Sequence, residues 1–340
     1  MDRHAPIPSF LDAQPAVVSR AGDVIQVVIV SFNTCALLRR CLQSLIATTA
    51  RPLHIWVVDN ASTDGSPDMI RREFPDVKLV ASATNIGFAA ANNIALRAVL
   101  EQVAPSAGGD GLPQGPVLLL NPDTEVCAGA IDGLADYLDA HPEVGIAGVQ
   151  LLNPDGTQQR SFGTFWFAHL LRTFLRKHLQ GEEPGVAGEA RSPLPVDWLV
   201  GACMMVSRRA LSRVGLLDEV FFIYGEEIDW QWRLAQAGFG VTLLPTLNVV
   251  HFGGQSTQQA AQAMQRQEYR SRYLLLAKHR GPAARGLYLA KVTAELSRES
   301  LHKLWRGTWQ RDAQTLAAAR ATAALLRDHF SARFRQQSGT

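Results

Sequence analysis

The sequence predicts an α/β fold built on a doubly wound, mostly parallel sheet with a helical C-terminal extension. Three observations carry this. Short β-branched runs alternate with amphipathic helical stretches through the first half, the first run (Ile25–Val30) is apolar on both faces, and the pattern after Gly254 is helical and basic. A strand apolar on both faces belongs in the middle of a sheet with helices on each side. A βαβα order with right-handed crossovers makes its neighbours parallel.

After Ile25–Val30, Thr34 is placed to cap a helix in which Leu37, Leu38, Cys41, Leu42 and Leu45 recur at helical spacing. There follow a strand His54–Val58, a turn at Ala61–Ser66, a helix to Phe74, a strand Val77–Val80 and an alanine-rich helix from Phe88 to Val103. A Pro/Gly-rich loop then leads to strand Val117–Leu120. Beyond it the readings are helix Asp132–Ala140, strand Val144–Leu152 ended by Asn153-Pro154-Asp155-Gly156, and a long mobile loop over 178–196. Last come strand Trp198–Val206, helix Ser207–Val214, helix Glu226–Ala237 stopped by Gly238, and strand Thr246–Val250. The expected division is a leader over 1–24, a catalytic body over 25–255 and a basic helical extension over 256–340.

Composition is that of a globular chain, 47% hydrophobic and 19% charged over 340 residues, long enough to bury a full core. No uninterrupted apolar run reaches the roughly eighteen residues of a transmembrane helix, and the polar, proline-containing start does not read as an export signal. Cys35, Cys41, Cys127 and Cys203 lack metal-site or redox spacing, which suits reduced thiols and a cytoplasmic location. Charge is uneven. Residues 256–340 hold 15 Lys+Arg against 5 Asp+Glu (net +10), leaving 18 basic and 26 acidic groups (net −8) for the rest. An acidic body with a basic tail points to two jobs in two regions.

In a doubly wound sheet, ligands bind beyond the carboxyl ends of the strands, and the polar clusters fall there. They are Ser31-Phe32-Asn33-Thr34, Asp59 through Ser66, Asn85-Ile86-Gly87-Phe88, and Asn121-Pro122-Asp123-Thr124-Glu125. One such cluster is ordinary turn chemistry; four on one rim describe a polar crevice. The chain has no GxGxxG after the first strand, no GxxxxGK[ST] and no GxSxG, which argues against dinucleotide dehydrogenases, P-loop NTPases and α/β-hydrolases.

The segments VVIVSFN, VVDNASTDGS, NIGFAAANN, LLLNPDTE, DWLVGACMMVSRRAL, FFIYGEEIDWQWR and VVHFGGQS, in that order over 25–255, resemble family 2 glycosyltransferases of the GT-A fold, especially the bacterial rhamnosyltransferase-like branch. The resemblance implies an inverting, metal-dependent transfer of sugar from a nucleotide diphosphate. The donor would be a dTDP- or UDP-sugar, first dTDP-L-rhamnose, and the acceptor a glycan or lipid-linked glycan of cell-surface polysaccharide synthesis. Within it, Asn121-Pro122-Asp123 resembles the metal-binding DxD and His251 the histidine that completes the metal or diphosphate site, with Mg²⁺ or Mn²⁺ as cofactor. By residue type alone, Asp123 fits a turn or helix cap equally well, and a lone His is more often structural. A hard cation bridging diphosphate oxygens gives both a purpose.

The same resemblance makes Asp59 the nucleobase contact and places Ser31, Asn33, Asn85, Gly87, Phe88 and Asn121 at the nucleotide sugar, with Asn92 and Asn93 in support; Asp64 reads as a helix cap. Trp198, Gly201, Ala202 and Glu226 resemble the acceptor side, although Trp198 suits a core position as well. Glu226, Glu227 and Asp229 put three carboxylates in four residues, where repulsion can raise a pKa, although acids at a helix start also simply complement the dipole. Of the catalytic pair Glu227 and Asp229, Asp229 stands four residues before Arg233 and reads as its ion-pair partner. Glu227 occupies the position of the family's base, where the usual residue is Asp.

Two rival readings are a non-catalytic nucleotide-sugar or glycan-binding module, which should have lost Asp123, the acid at 227 or His251, and a nucleotidyltransferase, whose glycine-rich basic loop SFNTCALLRR does not supply. The basic tail is either a solvated helical cap or a dock for an anionic membrane, which would bring the protein to the inner face of the plasma membrane. No nucleic-acid module accompanies the charge.

Overall fold

A computed structural model describes residues 24–101, 115–165, 185–253 and 261–310, with 320 and 323. The leader (bar Val24), most of the Pro/Gly-rich loop, residues 178–184 of the 178–196 loop and nearly all of the apolar stretch 317–326 lie outside these. The elements in chain order are β1 Ile25–Ser31, α1 Cys35–Thr48, β2 Leu53–Asp59, α2 Ser66–Glu73, β3 Lys78–Ala81, α3 Phe88–Glu101, β4 Val117–Leu120, β5 Thr124–Val126, α4 Ala130–Ala140 and β6 Val144–Leu152. They continue through the short β7 Phe162–Gly163, β8 Leu194–Pro195 and β9 Trp198–Leu199 to β10 Cys203–Val206, α5 Arg208–Val214, α6 Glu226–Gln236, β11 Gly240–His251, α7 Ala261–His279 and α8 Gly281–Gln310.

The main sheet runs β3-β2-β1-β4-β10-β6-β11-β5, with β8 paired to β11. β3, β2, β1 and β4 are parallel, as are β6 and β11; β10 enters antiparallel between β4 and β6. The sheet is therefore mixed and mostly parallel. Alternate residues of β1 face two cores. Ile25, Val27 and Ile29 join Leu38, Leu42 and Leu45 of α1, Met69 of α2 and Leu134 of α4. Val28 and Val30 join Ala91 and Leu96 of α3, Leu211 of α5, and Trp230 and Leu234 of α6. That double burial is why Ile25–Val30 carries no polar face except Gln26, itself buried.

Several local expectations shift. Thr34 does not cap α1; its hydroxyl bonds Ser31 Oγ at 2.9 Å, and Asp64 Oδ2 accepts the Cys35 N–H at 2.7 Å instead. Oδ1 of Asp64 accepts from Ser66 N and Oγ, so one carboxylate serves the starts of two helices. The strand expected over 198–206 breaks into β9 and β10, because Val200 bonds out to the Ser161 carbonyl and the Ala202 carbonyl accepts from Asn121. The strand expected over 246–250 begins at Gly240, with a bulge between Leu244 and Asn248 that accommodates Pro245, which has no N–H to donate. The described part of the 178–196 loop is fastened down. Gly185 O accepts from Ser161, Ala187 N donates to Gln150 Oε1, Gln158 pairs with Gly188, and Leu194–Pro195 adds to β11.

The C-terminal helices pack on the body. Tyr273 and Leu276 of α7 and Tyr288, Val292 and Leu296 of α8 cluster with Phe165 and Trp198, and Leu274 and Leu275 cluster with Phe221. Among the described residues no helix is long and apolar enough to cross a membrane. All four cysteines are free, and burial pushes the Cys41 thiol up to about 12.

Candidate active site

The polar strand ends meet along one rim. Ser31 and Asp59 end adjacent parallel strands in register, and the Asn60 N–H donates to the Ser31 carbonyl at 2.7 Å. Asn33, at φ +53°, donates its N–H to Ser62 Oγ and accepts the Thr63 N–H on Oδ1, locking the two loops together. Asp59 is buried, with Oδ2 accepting the Ser62 N–H at 2.9 Å and Oδ1 without a partner among the described residues. A buried carboxylate oxygen left open costs free energy and suits an N–H donor of a bound ligand.

Asn60 carries the rim onward, donating to Asn85 Oδ1 (2.9 Å) and the Gly87 carbonyl (3.2 Å) and accepting the Ile86 N–H (2.8 Å). Gly87, at φ +89°, lies so close to the next segment that a Cβ would sit 2.6 Å from the Phe222 carbonyl oxygen. The Phe88 N–H donates to that same oxygen at 2.6 Å. Asn92 bonds the Phe88 carbonyl, and buried Asn93 bonds Leu217 and Glu219. Asn93 and the Phe88 N–H tie the start of α3 to the loop that opens α6.

That loop turns through Tyr224 (φ +67°) and Gly225 (φ +92°) into the three acids. They differ in environment. Asp229 is fully buried and bonded to Arg233 (2.9 Å), His279 (2.8 Å) and Lys278 (2.8 Å). Burial works to raise its pKa, but His279, Lys278 and Arg233 outweigh it and hold the carboxyl at about 2. Glu226 is buried, with Oε2 unpartnered among the described residues; burial, then the Glu227 charge, push its pKa well above the usual range. Glu227 is partly exposed, accepts the Gly225 N–H at 2.9 Å, and is raised by burial against three backbone hydrogen bonds. Gly201 lies alongside, where an added Cβ would be 3.5 Å from Glu227 Cβ and Cγ. Gln231 pins the helix there, exchanging hydrogen bonds with Leu199 N (2.7 Å) and O (2.9 Å). Trp198 is buried, its Nε1 donating to the Thr164 carbonyl at 3.0 Å and its ring in the cluster under α7 and α8.

The rim closes at the end of β4. Asn121 N–H donates to the Ala202 carbonyl at 2.9 Å, and its Oδ1 is buried without a partner among the described residues. Asp123 Oδ1 lies 3.4 Å from His251 Nε2, because β5 pairs antiparallel with β11 and brings Thr124 opposite His251. His251 Nδ1 is 2.6 Å from Gln159 Oε1. The Gln159 amide nitrogen donates to Asn153 and the His251 carbonyl, so Oε1 must accept and Nδ1 carries the proton. In the neutral ring Nε2 then presents a lone pair beside Asp123. Donors of one six-coordinate cation sit roughly 3 Å apart, so the pair fits a divalent ion. Among the described residues no group of three His, Cys, Asp or Glu side chains could hold a metal, so Asp123 and His251 would supply two ligands of such an ion.

Asn60, Phe222, Gln159 and Gln231 escaped the sequence reading. Asn60 sits inside a recognised segment, but Gln159 meets His251 across 92 residues and no local pattern marks it.

One rim of a mostly parallel sheet thus carries the Asp123–His251 pair and a helix start with three carboxylates, an arrangement suited to group transfer. Residues 26–215 match the family described as Glycosyl transferase family 2, and the chain belongs to that family; it is a glycosyltransferase. It is 32% identical over 277 residues (76% of this chain, 86% of the relative) to the N-acetylglucosaminyl-diphospho-decaprenol L-rhamnosyltransferase of Mycobacterium tuberculosis. To the dTDP-rhamnosyl transferase RfbF of Shigella flexneri it is 23% identical, covering 58% and 59% of the two chains. A mannosyltransferase from Pyrobaculum calidifontis, solved with GDP-Man and Mn²⁺, superposes with TM-score 0.53 at 17% identity over 94% of this chain and 91% of that one, which shows the shared fold.

Proposed function

We propose that the chain transfers L-rhamnose from dTDP-rhamnose, with inversion, to a hydroxyl of a lipid-linked glycan on the cytoplasmic side of the membrane. The observation that carries the mechanism is the closed rim from Asp59 through Phe222 and Glu227 to the Asp123–His251 pair. The donor and acceptor readings draw support from the relative 32% identical over 76% of the chain.

Asp59 Oδ1 and the Asn85–Phe88 segment would hold the nucleoside. Asp123 and His251 would hold Mg²⁺ or Mn²⁺, which when bound offsets charge on the diphosphate. Glu227, beside Gly201, accepts the proton of the acceptor hydroxyl. The hydroxyl oxygen bonds to the anomeric carbon as the bond from that carbon to the diphosphate oxygen breaks, and the nucleoside diphosphate departs. Asp229 is already bonded to Arg233, Lys278 and His279, so its part is to anchor the helix that presents Glu227. The catalytic unit in this reading is 25–255, with 256–340 as its basic extension.

Calorimetry of dTDP binding with and without Mn²⁺, alongside transfer from a panel of dTDP- and UDP-sugars, tests this. Mn²⁺-dependent dTDP binding that Asp123→Ala abolishes, with transfer from dTDP-rhamnose, is the expected result. Metal-independent binding refutes the Asp123–His251 role, and preference for a UDP-sugar refutes the donor.

A further inference from the structure

The outer face of α8 has no use in the reaction. Tyr288, Val292, Leu296 and Ser300 are buried at four-residue spacing, so one stripe of the helix packs on the body. The opposite stripe is not the polar surface expected of a helix facing water. Leu287 (69% exposed), Leu301 (67%), Leu304 (40%), Trp305 (62%) and Trp309 (79%) all project from it. At 100° per residue these five fall within an arc of roughly 140°, centred away from the buried stripe. Trp305 and Trp309 stack with centroids 6.1 Å apart, forming one aromatic surface. Exposed Arg298 projects from within the arc and exposed Arg306 flanks it, in a region of net charge +10 on a body of net charge −8.

We infer that this face of α8 is a docking surface for an anionic lipid bilayer, lying in the interface with Leu287, Leu301, Leu304, Trp305 and Trp309 among the acyl chains, Arg298 extending from within the face to the headgroups and Arg306 meeting them at its flank. Tryptophan beside cations on a helix too polar to span is the chemistry of interfacial binding. The sign of the charge selects an anionic leaflet and repels the acidic body from it. The inference rests on the lipid-linked acceptor reading only for its purpose; the surface itself stands on α8.

The test is flotation of the full chain with acceptor-free vesicles of phosphatidylcholine, with or without phosphatidylglycerol, comparing wild type with the pairs Trp305→Ser/Trp309→Ser and Arg298→Gln/Arg306→Gln. Thermal melting confirms that the variants fold. Wild type should float with phosphatidylglycerol vesicles and show a blue-shifted tryptophan emission. The Trp pair should lose binding about tenfold or more, and the Arg pair should lose the lipid selectivity. Wild type that stays behind, or a Trp pair that floats equally well, overturns the inference. So does a dimer that the Trp pair converts to monomer, which would make the face a contact between two copies. Because these vesicles hold no acceptor, failure here leaves the transfer reading untouched, and transfer to a water-soluble acceptor analogue should be unchanged in the Trp pair.

Discussion

Asp229→Asn isolates the charge that fastens α6 to α7. The folded carboxyl sits at about 2 against a reference of 3.8, and each unit is worth about 1.4 kcal/mol, so the linkage contribution is about 2 kcal/mol at pH 7. The folded pKa is lowered, so this stability is fully present above the unfolded value and is lost as pH falls through the folded one; about 1 kcal/mol should remain at pH 3. The cations keep other partners: Arg233 donates to the Val214 and Leu216 carbonyls, and Lys278 also reaches Asp218. The loss should therefore stay near the linkage figure rather than rise to the ~3–5 kcal/mol of a stranded buried charge. Urea unfolding of wild type and variant at pH 7 and pH 3 measures it. A variant as stable as wild type at pH 7, or a deficit equally large at pH 3, would refute the reasoning.

Three other outcomes follow from the rim. Glu227→Gln should lower kcat by about 10²–10⁴ while dTDP-sugar binding persists. Because the wild-type carboxyl is raised and acts deprotonated, the acidic limb of its kcat/KM profile should fall above the ordinary carboxylate pKa of 4.5; a limb at or below that value counts against Glu227 as base. Gln159→Leu removes the acceptor that fixes the His251 tautomer and should weaken Mn²⁺ affinity about 10–100-fold with unchanged melting, read by calorimetry in the presence of dTDP. Gly87→Ala combines a left-handed φ with a Cβ at 2.6 Å from the Phe222 carbonyl. It should cost at least about 1–3 kcal/mol, seen as a lower urea midpoint, and an unshifted midpoint would show that the two segments can separate freely.

Sequence periodicity alone was enough to find the parallel half of the sheet and the helices on both its faces, because each β-branched run and each apolar helical stripe records its own burial. The same local chemistry marked Asp59, Asn121 and Asp123 as strand-end polar residues, and the Asp229–Arg233 pair was legible because four residues make one helical turn. What periodicity cannot record is a partner brought in from elsewhere. The antiparallel entry of β10, the break at Val200–Ala202 and the start of β11 at Gly240 depend on which strands arrive beside them. Asp64 displaced Thr34 as the cap of α1 because the loop after β2 lies beside the one after β1. Trp198, readable as an acceptor contact or a core residue, lies under helices that begin more than sixty residues later. Most tellingly, sequence spacing set Asp229 apart only through Arg233, whereas His279 and Lys278, fifty residues on, help lower its carboxyl while burial raises Glu226 and Glu227. Titration depends on solvent and charge in three dimensions, and those are fixed only when the chain is folded.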